Sequence, residues 1–145
     1  MSPAKKKNSY IISVSVATGC YRHIKIDSTA TLLQLHKAII DAFEFYDDHL
    51  HVFFMDNSAW SDAESYYSDM MEGEDRYTAN YTLEKVGLFV GRKFKYIFDF
   101  GDEWRFQCKV MKVLDEATES PEIVRSAGEA PSQYWDEDEE LDEDE

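Results

Sequence analysis

Cysteine is scarce in this sequence. Cys20 and Cys108 are its only two, far apart and outside any CxxC or CxxH spacing. A disulfide scaffold is therefore not expected, and both residues read as free thiols. No stretch approaches the roughly 18 apolar residues that a membrane helix needs. Residues 1–8 carry three lysines but lead into alternating Ser, Ile and Val rather than an apolar block, so no secretion signal is read and the cytoplasm is the expected location. Positive charge is the other shortage, with 15 Lys and Arg against 30 Asp and Glu and a net charge of −15. Nine of the carboxylates fall within residues 136–145, which hold no base, leaving 21 acids against 15 bases elsewhere. So dense a block of like charge reads as a disordered acidic tail. It serves solubility or mimics nucleic acid at a basic surface.

What is present is apolar and aromatic. With 43% hydrophobic and 14% aromatic residues in 145, the chain suits one soluble domain whose core needs neither disulfide nor structural metal. Tyr10, Ile12, Val14 and Val16 alternate with Ile11, Ser13 and Ser15. Beyond Thr18 and Gly19, Arg22, Ile24 and Ile26 alternate with Tyr21, His23 and Lys25. These two runs predict a β-hairpin. Thr31 with Gln34 forms a capping-box pattern ahead of Leu32, Leu35, Ile39, Ala42 and Phe43 at helical spacing. Residues 49–55 read as a strand with Leu50, Val52 and Phe54 towards that helix and His49, His51 and Phe53 away from it. Residues 56–81 lack either period and read as an acidic insertion, a candidate contact arm or a mobile loop.

A second hairpin is expected over residues 94–100 and 104–114. Period two puts Phe94, Tyr96, Phe98 and Phe100 on one face of its first strand and Trp104, Phe106, Cys108 and Val110 on one face of the second, an aromatic wall for the helix. Lys93, Lys95, Arg105, Gln107 and Lys109 then point outward as a basic strip. Such a strip is an ordinary solvated face, a seat for the acidic tail, or a phosphate contact. The expected architecture is α+β, a mixed sheet of about five strands (hairpin, helix, strand, hairpin) with one main helix on one face, β-grasp-like. A ferredoxin-like arrangement is the runner-up. A flexible basic N-terminus (1–8), a single domain (9–115) with the insertion 56–81, and a C-terminal extension (116–135) complete the expected organisation.

The order Leu35-His36, then His49-Leu50-His51-x-Phe53, then Tyr96-x-Phe98-Asp99-Phe100-Gly101-Asp102-x-Trp104 resembles the plasmid Ri open-reading-frame-three-like family, whose relatives include a passenger protein of an insertion element. Gly128-Glu129-Ala130-Pro131-x-Gln133-Tyr134 resembles its C-terminal pattern. Tyr21 and Phe106 depart from it, standing where many relatives have Trp and His. The resemblance implies a protein of unknown function with a link to mobile elements. A recombinase's machinery is missing, since Arg22, Arg76, Arg92, Arg105 and Arg125 are scattered singly rather than clustered around a Ser or Tyr.

No catalytic constellation is evident. His49 and His51 share a strand face and could hold a divalent metal with Asp99, the sole cofactor the residues suggest, whereas His36 on the helix lies too far round to join them. Asp99-Phe100-Gly101 also matches the magnesium triplet of protein kinases, but no Gly-rich loop or His-Arg-Asp loop accompanies it. Turn-building is the favoured role, with Gly101 at φ > 0, Asp102 bonding backbone amides, and Asp99 capping the turn or accepting from the Trp104 indole. The favoured function is a binding or adaptor module for an unknown protein partner, using the acidic insertion and the open sheet face. Nucleic acid is disfavoured by charge, no membrane is involved, and oligomeric state is not legible. The alternative is a metal-dependent enzyme or nucleic-acid-processing factor using His49, His51 and nearby carboxylates.

Overall fold

The first alternating run forms β1 (Ser9–Ala17) and β2 (Cys20–Asp27), paired antiparallel across a turn at Thr18 and Gly19. The structure, a computed structural model, describes residues 8–133. Tyr134, the acidic segment 136–145 and all of the basic N-terminal segment save Asn8 lie outside the described residues. Helix α1 (Leu32–Ala42) starts where the capping box predicts. The Thr31 hydroxyl accepts from the Gln34 amide at 3.1 Å, and the Gln34 side chain accepts from the Thr31 amide at 2.8 Å. Leu32, Leu35, Ile39 and Ala42 bury the apolar stripe of this helix against the sheet, and Phe43 follows them into the core.

The remaining strands are β3 (His51–Phe54), β4 (Ser65–Tyr67), β5 (Lys93–Phe98), β6 (Trp104–Leu114) and β7 (Glu122–Ala127). They join the hairpin in one sheet of order β4-β3-β5-β6-β1-β2-β7, antiparallel at every pairing. Among the described residues the fold is thus α+β with one helix, but with a seven-stranded antiparallel sheet rather than a mixed sheet of five strands. The two additional strands are short or weakly patterned. Three-residue β4 lies inside the acidic insertion. Strand β7, in the C-terminal extension, is exposed along most of its length, so neither carries the alternation that marks a half-buried strand.

The aromatic wall forms on the helix side, with Phe94, Tyr96, Phe98, Phe106, Cys108 and Val110 all buried. Phe100 leaves it. It lies beyond the end of β5 and packs with Val52, Phe54 and Ile97 on the opposite face, where Trp60 meets both Phe54 and Phe100 edge-on.

The face assignment of β3 is inverted relative to the expectation. His51 and Phe53 point towards the helix, and Val52 and Phe54 point away. Every residue of β3 is buried, so hydropathy could not say which face meets the helix, and the polar histidine was the misleading cue.

Candidate functional site

The inverted strand brings together histidines that the alternation keeps apart. His36, from the middle of α1, stacks on His51 with ring centroids 3.7 Å apart and planes 12° from parallel. Both are buried, and each has a hydrogen-bond partner at a ring nitrogen. His36 Nδ1 meets the Tyr96 hydroxyl at 2.5 Å and Nε2 meets Asp47 at 2.9 Å, while His51 Nε2 meets the Thr78 hydroxyl at 2.8 Å. The bonding pattern fixes the His36 tautomer. Tyr96 donates to Nδ1 and Nε2–H donates to the Asp47 carboxylate, since a carboxylate can only accept. Burial pushes the His36 imidazole down to about 3, with neighbouring Lys37 adding to the effect. Burial, reinforced by His36, also drives His51 down to about 3, although Asp47 pulls the other way. Both rings are therefore neutral near pH 7, and the His36–Asp47 contact is a hydrogen bond to a neutral imidazole rather than an ion pair.

These rings form one wall of a cleft of about 640 Å³ between the start of α1, the loop 47–50 and the insertion at Ser68, Asp69 and Met70. Asp47, Asp48 and Asp69 line it against a single base, Lys37, and the Met70 side chain stands on its rim, 77% exposed. His49 also lines the cleft and lies 3.4 Å from Asp99 and 3.5 Å from Asp48.

The expected metal set does not assemble. His49 and Asp99 do meet, but His51 is turned to Thr78 and its ring is covered by His36. Among the described residues no group of three or more His, Cys, Asp or Glu side chains could hold a metal ion.

The turn after β5 is built by Asp99. Its carboxylate accepts from the amides of Gly101 at 3.1 Å and Asp102 at 3.3 Å. The left-handed backbone expected at Gly101 falls instead on Asp99 (φ 66°) and Glu103 (φ 50°). The Trp104 indole does not reach Asp99. Its N–H is buried without a partner among the described residues, and it is the Trp60 indole that donates to Glu103, at 3.0 Å. Asp99→Ala should cost about 2 kcal/mol, from left-handed strain on Ala and two lost amide caps, and Asp99→Asn about half as much, because Asn tolerates the conformation and keeps an acceptor. Urea unfolding of both variants measures this; equal losses would show that the turn does not depend on the cap.

On the face away from the helix, Lys93 stands directly opposite Lys109, Lys95 opposite Gln107, and Arg105 opposite Ile97. Lys95 bonds Gln107 at 2.8 Å and Arg105 pairs with Glu103 at 2.7 Å. Sequence reasoning missed Asp47 and Thr78, which complete the histidine network from segments without periodicity. It also missed the weight carried by Arg22, a buried arginine whose guanidinium donates to the carbonyls of Tyr21, Ala42 and Ala127. The signal available for Arg22 was its place among Ile24 and Ile26 on the apolar face of β2.

A family model described as plasmid pRiA4b ORF-3-like protein matches residues 12–136, and the chain belongs to that family. The uncharacterized protein y4hQ of Sinorhizobium fredii (strain NBRC 101917 / NGR234) is similar, 24% identical over 111 residues that cover 76% of this chain and 56% of the relative. The chain thus spans little more than half the length of that relative. The crystal structure of MM3350, a protein of unknown function from Methanosarcina mazei Go1, matches with a TM-score of 0.68 at 25% identity, covering 84% of this chain and 71% of that one. Among the described residues no helix is long and apolar enough to cross a membrane.

Proposed function

We propose that this member of the plasmid pRiA4b ORF-3-like family is a non-catalytic binding module whose cleft receives a cationic segment of a protein partner. The observation that carries this reading is the placing of His36, His49 and His51 on the wall of one cleft lined by Asp47, Asp48 and Asp69. A general base works best with a pKa near the operating pH, and His36 and His51 are held several units below it. Both ring nitrogens of His36 are taken by Tyr96 and Asp47, and Nε2 of His51 by Thr78, so these rings shape the wall rather than move protons. The cleft has the size of an ordinary ligand site, and its excess of carboxylates favours a Lys or Arg side chain entering beside Met70 and Leu33. The family's plasmid name supports a setting on mobile genetic elements.

The test places a photo-cross-linking residue at Met70 in the source cells and compares the native background with Asp69→Lys. The expected result is one dominant cross-linked partner that falls about tenfold when the rim charge is reversed, with an unchanged unfolding midpoint. Equal yield in the two backgrounds would show that the cleft does not receive the partner.

A further inference from the structure

The sheet face turned away from the cleft carries bases that the net charge of −15 conceals. Register places Lys93 of β5, Lys109 of β6, Ser13 of β1, His23 of β2 and Arg125 of β7 side by side, each opposite the next. Five strands at the usual spacing make this row about 19 Å long. A second row beside it runs through Lys95, Gln107, Ser15, Tyr21 and Ala127, and Arg105 extends the face further along β6. The acids that register sets on this face, Asp27 and Glu122, lie to one side of both rows, next to Lys25. Lys93 and Lys109 are exposed and face each other directly, an arrangement that costs stability, and neither they nor Arg125 pair with an acid among the described residues. An anion laid across the row would relieve that repulsion.

Aromatic rings accompany these bases, which strand periodicity alone does not reveal. Tyr21, in the second row, is half-buried, and its ring lies 5.1 Å from that of His23. At the other end of the face Trp60 comes in from the insertion, 43% exposed and packed edge-on against Phe54 and Phe100. Its indole donates to Glu103 at 3.0 Å, and Glu103 pairs with Arg105 at 2.7 Å. One ring thus stands beside Arg105 and another beside His23. Between them Ser15, Thr18, Lys95, Arg105 and Gln107 border a depression of about 330 Å³. Bases spread over an open surface with rings to stack on suit a polyanion that has exposed π-faces. An acidic peptide offers no bases to stack, and a duplex hides the faces of its bases inside the helix. Single-stranded nucleic acid meets both features at once.

We propose that this outer sheet face binds single-stranded nucleic acid, with Lys93, Lys109 and Arg125 on phosphates and Tyr21 and Trp60 stacking on bases. Acids elsewhere in the chain repel the same ligand, so the binding is weak and steeply dependent on salt. The test is fluorescence anisotropy of a labelled oligothymidylate of about 15 residues with the native full-length chain. Three phosphate contacts predict saturable binding whose affinity falls about a hundredfold between about 20 mM and about 0.2 M salt. At the lower salt, Lys109→Glu combined with Arg125→Glu should weaken binding about tenfold or more and flatten the salt dependence, with an unchanged unfolding midpoint. Tyr21→Thr should weaken it about fivefold or more and leave the salt dependence as it was. On the native chain, titration with the oligonucleotide should shift the amide resonances of Tyr21, His23, Lys93, Lys109 and Arg125 and leave those of His36 and His51 in place. Absence of saturable binding, shifts confined to other parts of the fold, variants that bind as tightly as the native chain, or equal competition by polyglutamate or duplex DNA would each overturn the proposal.

Discussion

Between pH 8 and pH 4.5 the folded chain is expected to lose about 5 kcal/mol of stability through two side chains, His36 and His51. In the unfolded chain each imidazole takes up its proton near the ordinary value of 6.5, whereas in the folded chain each is held down to about 3. A depressed pKa means that the unfolded state binds the extra proton first. The contribution of each ring is therefore complete above pH 6.5 and is lost as pH falls towards 3. Each unit of pH below 6.5 costs up to about 1.4 kcal/mol per ring. The stacking makes both rings pay, since a proton on either would sit unsolvated against the other face at 3.7 Å. His23, lowered by burial and by Arg125, acts in the same direction. Urea unfolding at half-unit steps of pH measures the slope. Native protein should approach two protons of difference between unfolded and folded states near pH 5, and His51→Gln should approach one. A slope unchanged by that substitution would show that the pair is not the origin of the acid sensitivity.

The same pair shows what the sequence made legible and why the rest stayed hidden. The β1–β2 hairpin, α1 with its capping box, and the aromatic wall all rest on periodicity, and the structure has each of them. Periodicity failed at β3, where both faces are covered and the only polar residue, His51, is satisfied by Thr78 from a segment 27 residues away. It failed also at β7, whose residues are mostly exposed and whose place is set by pairing with β2 rather than by burial. The histidines were legible as a group through the family resemblance. Their meeting was not, because it depends on which face of β3 turns to the helix, and a strand buried on both sides does not declare that. The cleft follows from the same fact. Its far wall, Ser68 to Met70, belongs to the insertion, whose sequence shows no period and which is tied to β3 by the short strand β4 and, just beyond it, by the bond from the Ser68 amide to the His51 carbonyl at 2.9 Å.

Gly128→Ala should cost about 2–4 kcal/mol and loosen β7 selectively, whereas Gly19→Ala should cost only about 1 kcal/mol. The two glycines share a φ of +78° and lie against each other, so left-handed backbone strain is common to both. They differ in the space around them. A methyl on Gly19 meets nothing within 4 Å, while one on Gly128 would sit 2.5 Å from the Gly19 carbonyl oxygen and 2.9 Å from the Cys20 Cα. Those are backbone atoms of the β1–β2 turn and cannot swing aside, so β7 must move instead. Displacing it would pull the Ala127 carbonyl from Arg22, which donates to it at 2.9 Å while also holding the last carbonyl of α1, that of Ala42, at 3.2 Å. A buried guanidinium that loses an acceptor retains its desolvation cost, so the loss propagates from the sheet edge to the helix end. Urea unfolding gives the two totals, and amide exchange gives the location. Exchange in β7 should accelerate well before that in β1, β5 and β6 in Gly128→Ala. Equal losses for the two glycines would mean that strain alone, and not close packing of the C-terminal strand on the first turn, explains why glycine occupies both positions.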